Sequence, residues 1–478
     1  MTLRISGAAV VCVAAALMAG CAAYPNKVRR VKTQLELGVD EGSPVTYRAE
    51  SFKGKNKLLS FEEQGRLDQL QGRYRESSTF YRQAMDLCAR HQDKPIVSVG
   101  DTLRASLAST YGNDLGLSYP PTAFDQMMIH TMDAFNSLAL GEWDNFGVNV
   151  RNIEEWRNEG NEQIQQNINS MTDKLGKKKE KFLSSKEYTG LMTKEQSFTL
   201  GLQRSTDNVY SLLLVALYHE SIGDFSNALI AYKDIERIRP GLPSVKEGIE
   251  RCGGRTLAPD EGEVVVFFEE GFVPQKRNKR FQYGGLFTTV VMDIPYYASY
   301  DCLPYAEGGP LVVAENGCAV AASSIFCDLG QLAVKSHEER LRGILARQIS
   351  RTSIKAITRG IFSGLALAGA YCAANNVGDD RGYTQTILLA VGIVGSVGMS
   401  ILAPATEQAD LRSWLLLPRQ VQVARFPMKA GKHDLSLMSV GMSDKVTAEV
   451  KPGKITIIHC SAVPNIMKSF STCLDNLK

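Results

Sequence analysis

The stretch Asp207–Pro240, DNVYSLLLVALYHESIGDFSNALIAYKDIERIRP, predicts two short helices joined by a tight turn. The first helix has an apolar face that must pack against another element. Gly223 ends it, because a residue without Cβ adopts the backbone conformation of a helix end at the lowest free-energy cost. The packing positions of the second helix and its stop follow in order as Phe225, Ala228, Tyr232 and Pro240. A small residue, an aromatic residue four positions later and a closing proline are typical of a tetratricopeptide repeat.

The same pattern occurs twice more upstream, as expected because one hairpin cannot bury its apolar face alone. The residues that carry these two copies are Gly65, Gly72, Tyr74 and Tyr81, then Gly141 and Trp143. A degenerate unit at Thr102–Tyr111 would fill the interval between them, which is close to two repeats of about 34 residues. The alternative is an ordinary bundle of helical hairpins, which uses the same glycine and alanine packing.

Residues 1–20 are predicted to be a targeting segment, with Arg4 before an apolar run and small residues before Cys21. A cysteine directly after Leu-Met-Ala-Gly resembles the lipobox of bacterial lipoproteins, although Met18 stands where leucine is usual. This resemblance implies cleavage before Cys21, a diacylglycerol on its sulfur and acylation of the new amine. Ala22 then favours the outer membrane by the sorting rule of such lipoproteins. A plain signal peptide with a chance cysteine is the alternative.

Composition limits the function classes. The chain has 478 residues and a net charge of +3, which does not indicate bulk nucleic-acid binding. Residues 21–56 are polar and are expected to tether the folded part to the bilayer, and residues 57–255 form the predicted helical domain. The spacing allows two local disulfides, Cys302 with Cys318 or Cys327 and Cys460 with Cys473. The alternative is that these cysteines are isolated buried thiols.

After Gly253 the pattern changes to that of strands. The run Glu263–Phe268 predicts a buried strand, and Asn316-Gly317 predicts a hairpin turn. Residues 260–330 and 416–478 are therefore assigned to one small β-sandwich-like unit in two parts. The basic run Lys276–Arg280 is predicted to be an exposed loop, with contact to anionic lipid or glycan phosphates as the alternative.

Residues 331–415 interrupt this unit with a long helix and an apolar helical pair. The first half of the helix carries a basic stripe at four-residue spacing, made by Arg347, Arg351, Lys355 and Arg359. The apolar runs Ile361–Ala374 and Ile387–Ala403 follow. We expect them to be buried inside the protein or an oligomer, with membrane insertion as the alternative. The stripe is either a solvated face or a contact for anionic headgroups.

Catalysis finds little support. The six histidines form no H-E-x-x-H motif, and neither a nucleophile elbow nor a P-loop is present. No cofactor and no metal site are expected. Trp414 is interpreted as a packing residue rather than a ligand platform.

Four stretches together resemble a family of uncharacterised bacterial tetratricopeptide-repeat envelope lipoproteins. They are His130–Trp143, the repeat ending at Pro240, Gly262–Arg277 and Glu407–Met428. The resemblance implies an envelope protein, sometimes encoded near lipoproteins that activate cell-wall synthases, and it implies no activity. The insert Gln163–Lys194 departs from the family.

The sequence as a whole predicts an α+β protein, with a TPR-like N-terminal helical repeat domain and a β unit interrupted by an apolar helical hairpin. The function expected is that of a non-enzymatic, lipid-anchored envelope scaffold facing the periplasm. Its TPR-like groove would bind other envelope proteins, and an oligomer is one of the two arrangements that would bury the apolar pair. The alternative is a membrane-inserting oligomeric component of an export or pore-forming assembly.

Overall fold

The structure, a computed structural model, describes residues 23–37, 54–92, 118–172, 186–283, 290–298, 309–374, 408–475 and 477. It confirms the mixed α+β class. The helices are α1 (Ala23–Leu37), α2 (Lys57–Leu70), α3 (Tyr74–Gln92), α4 (Ala123–Leu140), α5 (Trp143–Thr172), α6 (Lys186–Phe198), α7 (Val209–Ser221), α8 (Phe225–Ile238), α9 (Pro243–Cys252) and α10 (Leu329–Ala374). Cys21, Cys302, Thr102–Tyr111 and Ile387–Ala403 lie outside the described residues.

Three helical hairpins, α2–α3, α4–α5 and α7–α8, share one type of turn. Gly72, Gly141 and Gly223 all have positive φ, at 73°, 67° and 80°. In each case the amide of the following residue donates to the carbonyl five positions earlier, as in a Schellman motif. The predicted aromatic residue then begins the second helix of each hairpin. The pattern of glycine followed two positions later by an aromatic residue therefore marks the turns that bring the helices together.

The described strands are β1 (Glu261–Glu270), β2 (Arg277–Tyr283), β3 (Val290–Tyr296), β4 (Val312–Glu315), β5 (Cys318–Ala322), β6 (Ser324–Asp328), β7 (Gln420–Lys429), β8 (Gly431–Ser439), β9 (Met442–Val450), β10 (Ile455–Val463) and β11 (Ile466–Cys473). They form a five-stranded sheet in the order β11-β10-β1-β7-β6, a four-stranded sheet in the order β5-β4-β8-β9, and the pair β2-β3. Each of the two larger sheets therefore contains strands that precede α10 in the chain and strands that follow it.

β1 is the central strand of the five-stranded sheet, and it is buried on both faces, as its unbroken apolar run predicted. Val264, Val266 and Phe268 face an apolar cluster that they share with residues of the four-stranded sheet, such as Val313 and Leu435. Val265 and Phe267 face the opposite way, into a larger apolar cluster formed with the helices. One strand therefore joins two apolar cores.

The first helices of the three hairpins pack against the five-stranded sheet. Nearly every residue of α2, α4 and α7 is buried. On α4, the ring of Phe135 lies 5.2 Å from that of Phe267 on β1 and 4.2 Å from that of His459 on β10. Tyr210 of α7 contacts Phe267 as well, at 5.9 Å. The chain's own sheet therefore covers the inner face of the hairpins, where the repeat pattern predicts a partner-binding groove.

The structure also bears on the predicted tether and on the disulfide alternatives. Residues 23–37 of the predicted tether form α1, which packs through Val28, Val31 and Leu35 and whose Lys32 Nζ donates to the Val273 carbonyl at 2.9 Å. A polar helix docks here because it needs only one narrow apolar stripe. Cys460 and Cys473 are free thiols, because Cys473 lies opposite Thr456 in the β10–β11 register, four residues along the strand from Cys460.

Candidate functional site

A groove opens where the first hairpin meets the second, between α3, α4 and α5. Its volume is about 270 Å³. The side chains that line it include Met85 and Cys88 of α3, Gln126 and His130 of α4, and Glu155, Trp156 and Glu159 of α5. The hairpin turns at Gly72 and Gly141 set this geometry, because they orient α3 and α5 along the same side of α4.

The groove combines an acidic rim with an apolar floor. Glu155 and Glu159 are exposed and one helical turn apart on α5, next to the half-buried Trp156. Gln126 Oε1 is buried and has no hydrogen-bond partner among the described residues. His130 contributes no charge, because burial lowers its pKa, and its Nδ1 lies 3.0 Å from Asn149 Oδ1. The groove thus offers carboxylates, an amide oxygen and an indole face, which suit a cationic side chain.

Between the helices and the five-stranded sheet lies a first buried ion network, centred on Arg425 of β7. Arg425 Nη2 donates to Glu220 Oε1 at 2.8 Å and to Glu263 Oε2 at 2.6 Å. Arg425 Nη1 donates to the Tyr232 hydroxyl at 2.6 Å, and that hydroxyl donates to Glu220 Oε2. The network joins α7, α8, β1 and β7, so it ties the third hairpin to the sheet.

A second buried network is centred on Glu269 of β1. Arg66 Nη2 of α2 lies 2.7 Å from Glu269 Oε2, and the Tyr210 hydroxyl donates to Glu269 Oε1 at 2.6 Å. Burial acts to raise the pKa of Glu269, but Arg66, His459 and Ser461 together outweigh it and lower that pKa far below its usual range. These polar groups satisfy one another, which indicates a structural role. The described ranges contain no cluster of three or more metal-binding side chains.

Several of the residues predicted to pack the repeats are buried in the helical hairpins. Tyr81, Ala228 and Tyr232 are fully buried. A Cβ on Gly65 would lie 2.6 Å from the Tyr81 ring, so this glycine permits the close approach of α2 and α3. Tyr74 contacts Phe470 of β11, with ring centroids 5.3 Å apart.

The remaining repeat positions lie nearer the surface. Trp143 begins α5 and is half-buried against the larger apolar cluster, and Pro240 follows the end of α8. Phe225 was predicted as a packing residue, but it is 47 % exposed. It begins the second helix of the last described hairpin, and the short helix α9 and strand β1 come next, so in the described chain no further hairpin follows to cover it.

The basic stripe lies on α10 as predicted, with Arg347, Arg351, Lys355 and Arg359 along the helix. The structure describes the side chain of Arg359 alone among them, and it is half-buried. Beyond it, three large apolar side chains lie on the surface of the single chain, with Ile361 60 %, Leu367 71 % and Tyr371 67 % accessible. Within the described ranges, no helix combines the length and apolar content needed to cross a bilayer.

Lys279 and Arg280 of the basic run are exposed, as predicted, but Lys276 is not. It is only 9 % exposed, and its Nζ donates to the Arg412 carbonyl at 3.1 Å. Arg277–Tyr283 forms β2 rather than a loop. The residues beside Lys276 in the chain carried no signal of its burial, because its surroundings come from distant segments.

Trp414 is a buried packing residue, as interpreted, with its ring 5.9 Å from that of Tyr81.

Comparison with known proteins yields no match to any family model, curated protein or solved structure. The functional conclusion therefore rests on the residues and geometry above.

Proposed function

We propose that the chain is a non-enzymatic, lipid-anchored protein of the bacterial envelope that binds and scaffolds other envelope proteins, in support of cell-envelope or cell-wall assembly. In this proposal the three hairpins are TPR-like and the two larger sheets form a β-sandwich. Lipidation at Cys21 holds the protein on the outer membrane, facing the periplasm. The observation that carries the proposal is the acidic groove between α3, α4 and α5.

The inner face of the hairpins is an unsuitable docking surface, because β1 and β10 already cover it. The groove is a concave surface between the first two hairpins, and its lining comes from α3, α4 and α5. Its carboxylates at Glu155 and Glu159 lie beside the indole of Trp156, and Met85 adds an apolar contact. We infer that its occupant is a peptide segment of a partner protein that carries a lysine or arginine beside an apolar side chain.

Crosslinking in intact cells tests this proposal. A benzophenone amino acid at Ala89, which is exposed on the α3 wall of the groove, is expected to crosslink to a discrete envelope protein. The double variant Glu155→Lys, Glu159→Lys should abolish that crosslink, because like charges then repel the partner's cation. Mass spectrometry should place the crosslink beside a lysine or arginine.

The matched controls are a benzophenone at the exposed Lys233 of α8 and the charge reversal Glu76→Lys on α3. The first should give no crosslink to the same protein, and the second should leave the Ala89 crosslink intact. A crosslink that survives both reversals at Glu155 and Glu159 would remove the groove as the binding site.

A second candidate function, a membrane-inserting oligomeric component of an export or pore-forming assembly, is favoured by the apolar end of α10. Ile361, Leu367 and Tyr371 expose large apolar surfaces there. Such a surface is typical of a membrane or oligomer contact. In this alternative, residues 361–403 would associate with the bilayer or between subunits.

Fractionation separates the two candidates. The Cys21→Ala form, exported by an ordinary cleavable signal, is expected to be soluble and monodisperse without detergent if the scaffold proposal holds. If the form instead resists carbonate extraction, and the added change Leu367→Glu releases it, the apolar end of α10 contacts the membrane. The added change Lys233→Glu serves as the matched control and should not alter the partition.

A further inference from the structure

A second, smaller cavity lies between the start of α4, the first half of α10 and the segment before β7. Its volume is about 40 Å³, enough for about three water molecules or one small oxyanion. Tyr119, Lys276, His337, Arg340 and Trp414 are among the side chains that line it. They come from four distant parts of the chain, so the fold alone assembles the site.

The cavity has an excess of positive charge. Lys276, Arg340 and Arg412 line it, against the two carboxylates Asp125 and Asp410. Arg412 engages Asp410 through two hydrogen bonds, at 2.8 Å and 2.7 Å. Arg340 lies over the ring of a lining tyrosine, 5.8 Å from its centroid. Within the described residues, Arg340 forms no ion pair, so its charge is available to a ligand.

Several buried polar atoms of the lining residues lack a hydrogen-bond partner among the described residues. They are Ser413 Oγ, Trp414 Nε1 and His337 Nδ1. The first two can donate a hydrogen bond. Lys276 has one ammonium donor directed to the Arg412 carbonyl, which leaves two further donors. The cavity is therefore rich in donors that require acceptor oxygens.

His337 adds the opposite requirement. Its Nε2 lies 3.0 Å from the Pro295 carbonyl, which can only accept, so Nε2 carries the proton. Burial, together with Lys276 and Arg340, lowers the pKa of His337 well below its usual range, so the ring is neutral. Nδ1 is then a lone-pair acceptor that requires a donor. A matching ligand must present several acceptor oxygens and one hydroxyl.

We propose that this cavity binds a protonated oxyanion of the phosphate class, with Arg340, Lys276, Ser413 and Trp414 on its oxygens and His337 Nδ1 accepting its P–OH hydrogen. Inorganic phosphate carries this hydroxyl at neutral pH and a phosphate monoester carries it as the monoanion, whereas sulfate has none. A sulfate oxygen at the same place would face a nitrogen lone pair. The site therefore selects phosphate over sulfate, although the two anions have nearly the same size.

Calorimetric titration of the full chain in detergent tests the proposal, with inorganic phosphate and sulfate as probes at equal ionic strength. Phosphate is expected to bind at least about tenfold more tightly than sulfate, because sulfate leaves the hydrogen bond to His337 unmade at a buried site. Arg340→Gln should weaken phosphate binding about tenfold or more, and Arg340→Lys should restore part of it. Lys233→Gln removes a distant surface charge and should change nothing.

Two outcomes would overturn the inference. One is equal binding of phosphate and sulfate by the wild-type chain. The other is phosphate binding that Arg340→Gln leaves unchanged while circular dichroism shows that the variant is folded. Ser413→Ala gives an independent second variant, because it removes one donor without changing charge, and it should weaken phosphate binding by several-fold.

Vesicle flotation then distinguishes the source of the phosphate group. Vesicles that contain phosphatidic acid present a monoester that can carry a P–OH, whereas phosphatidylglycerol presents a diester without one. Retention on the former alone, lost in Arg340→Gln, assigns a lipid headgroup. Equal flotation on both lipids, with free phosphate still bound in the calorimeter, assigns a soluble phosphate.

Discussion

Replacing Arg425 with methionine is expected to lower the free energy of unfolding by about 3–5 kcal/mol. The guanidinium is fully buried between Glu220 and Glu263, and its removal leaves both carboxylates in a low-dielectric site. Arg251, whose Nε lies 2.8 Å from Glu220 Oε1, remains as a partial partner, which places the loss towards the lower end of that range. Urea unfolding followed by circular dichroism measures the change.

The matched control is Arg237→Met. Arg237 also pairs with an acid, at 3.5 Å from Asp234, but it is 55 % exposed. Its loss should cost less than about 1 kcal/mol, because surface ion pairs are weak. If the two variants lost similar stability, the Arg425 network would have no special role. Hydrogen exchange should locate the effect of Arg425→Met in α7–α9, since this network connects the third hairpin to β1 and β7.

The local parts of the fold were predictable because their signals are short-range. The turns at Gly72, Gly141 and Gly223 need a residue that tolerates positive φ, and Asn316-Gly317 needs two. An aromatic residue after each helical turn and an unbroken apolar run at β1 are equally visible in the chain. These features require no knowledge of what lies opposite them.

The missed features depend on residues far apart in sequence. β2 is polar, with its Arg280 paired to Asp293 of β3, so it has no apolar alternation to reveal it. Arg66, Glu269 and Arg425 resemble surface charges until their partners are placed beside them. The covering of the inner face of the hairpins is the most extensive feature of this kind. It could not be predicted because β1 and β10, which cover that face, come from opposite ends of the second half of the chain.

The candidate sites also combine features that are visible in the local sequence with features that only the fold brings together. The groove lies on helices that were predicted, but no motif or spacing in the sequence singles out Glu155 and Glu159. The oxyanion cavity joins residues such as Tyr119, Lys276 and His337, which come from widely separated parts of the chain. No spacing rule connects them, so only the fold brings their donors and acceptor together.

Glu195 on α6 should make the stability of its surroundings depend on pH. It is fully buried, and burial raises the pKa of its carboxyl to about 8. The Tyr297 amide donates to Oε1, whereas Oε2 has no hydrogen-bond partner among the described residues. In the unfolded chain the pKa is near 4.5. The folded state therefore binds the proton more strongly, and stability present below pH 4.5 is lost as the pH rises through about 8.

Glu195→Gln replaces the carboxyl with a neutral group of the same shape and removes this titration. We expect the free energy of unfolding of the variant, relative to wild type, to rise by about 4 kcal/mol between pH 5 and pH 9. Urea unfolding at both pH values, with exchange protection of Lys186–Phe198, gives the measurement. Glu339, whose pKa burial raises to about 7, titrates in both proteins, so its effect cancels in the difference.

The control for this titration is Glu76→Gln, because Glu76 is exposed in the first turn of α3. The free-energy difference between this variant and wild type should change far less between pH 5 and pH 9 than that of Glu195→Gln, since an exposed side chain is not desolvated on folding. If the difference in free energy of unfolding between Glu195→Gln and wild type also did not change with pH, Glu195 would ionise in the folded protein as readily as in the unfolded chain. In that case its burial would not control the docking of α6.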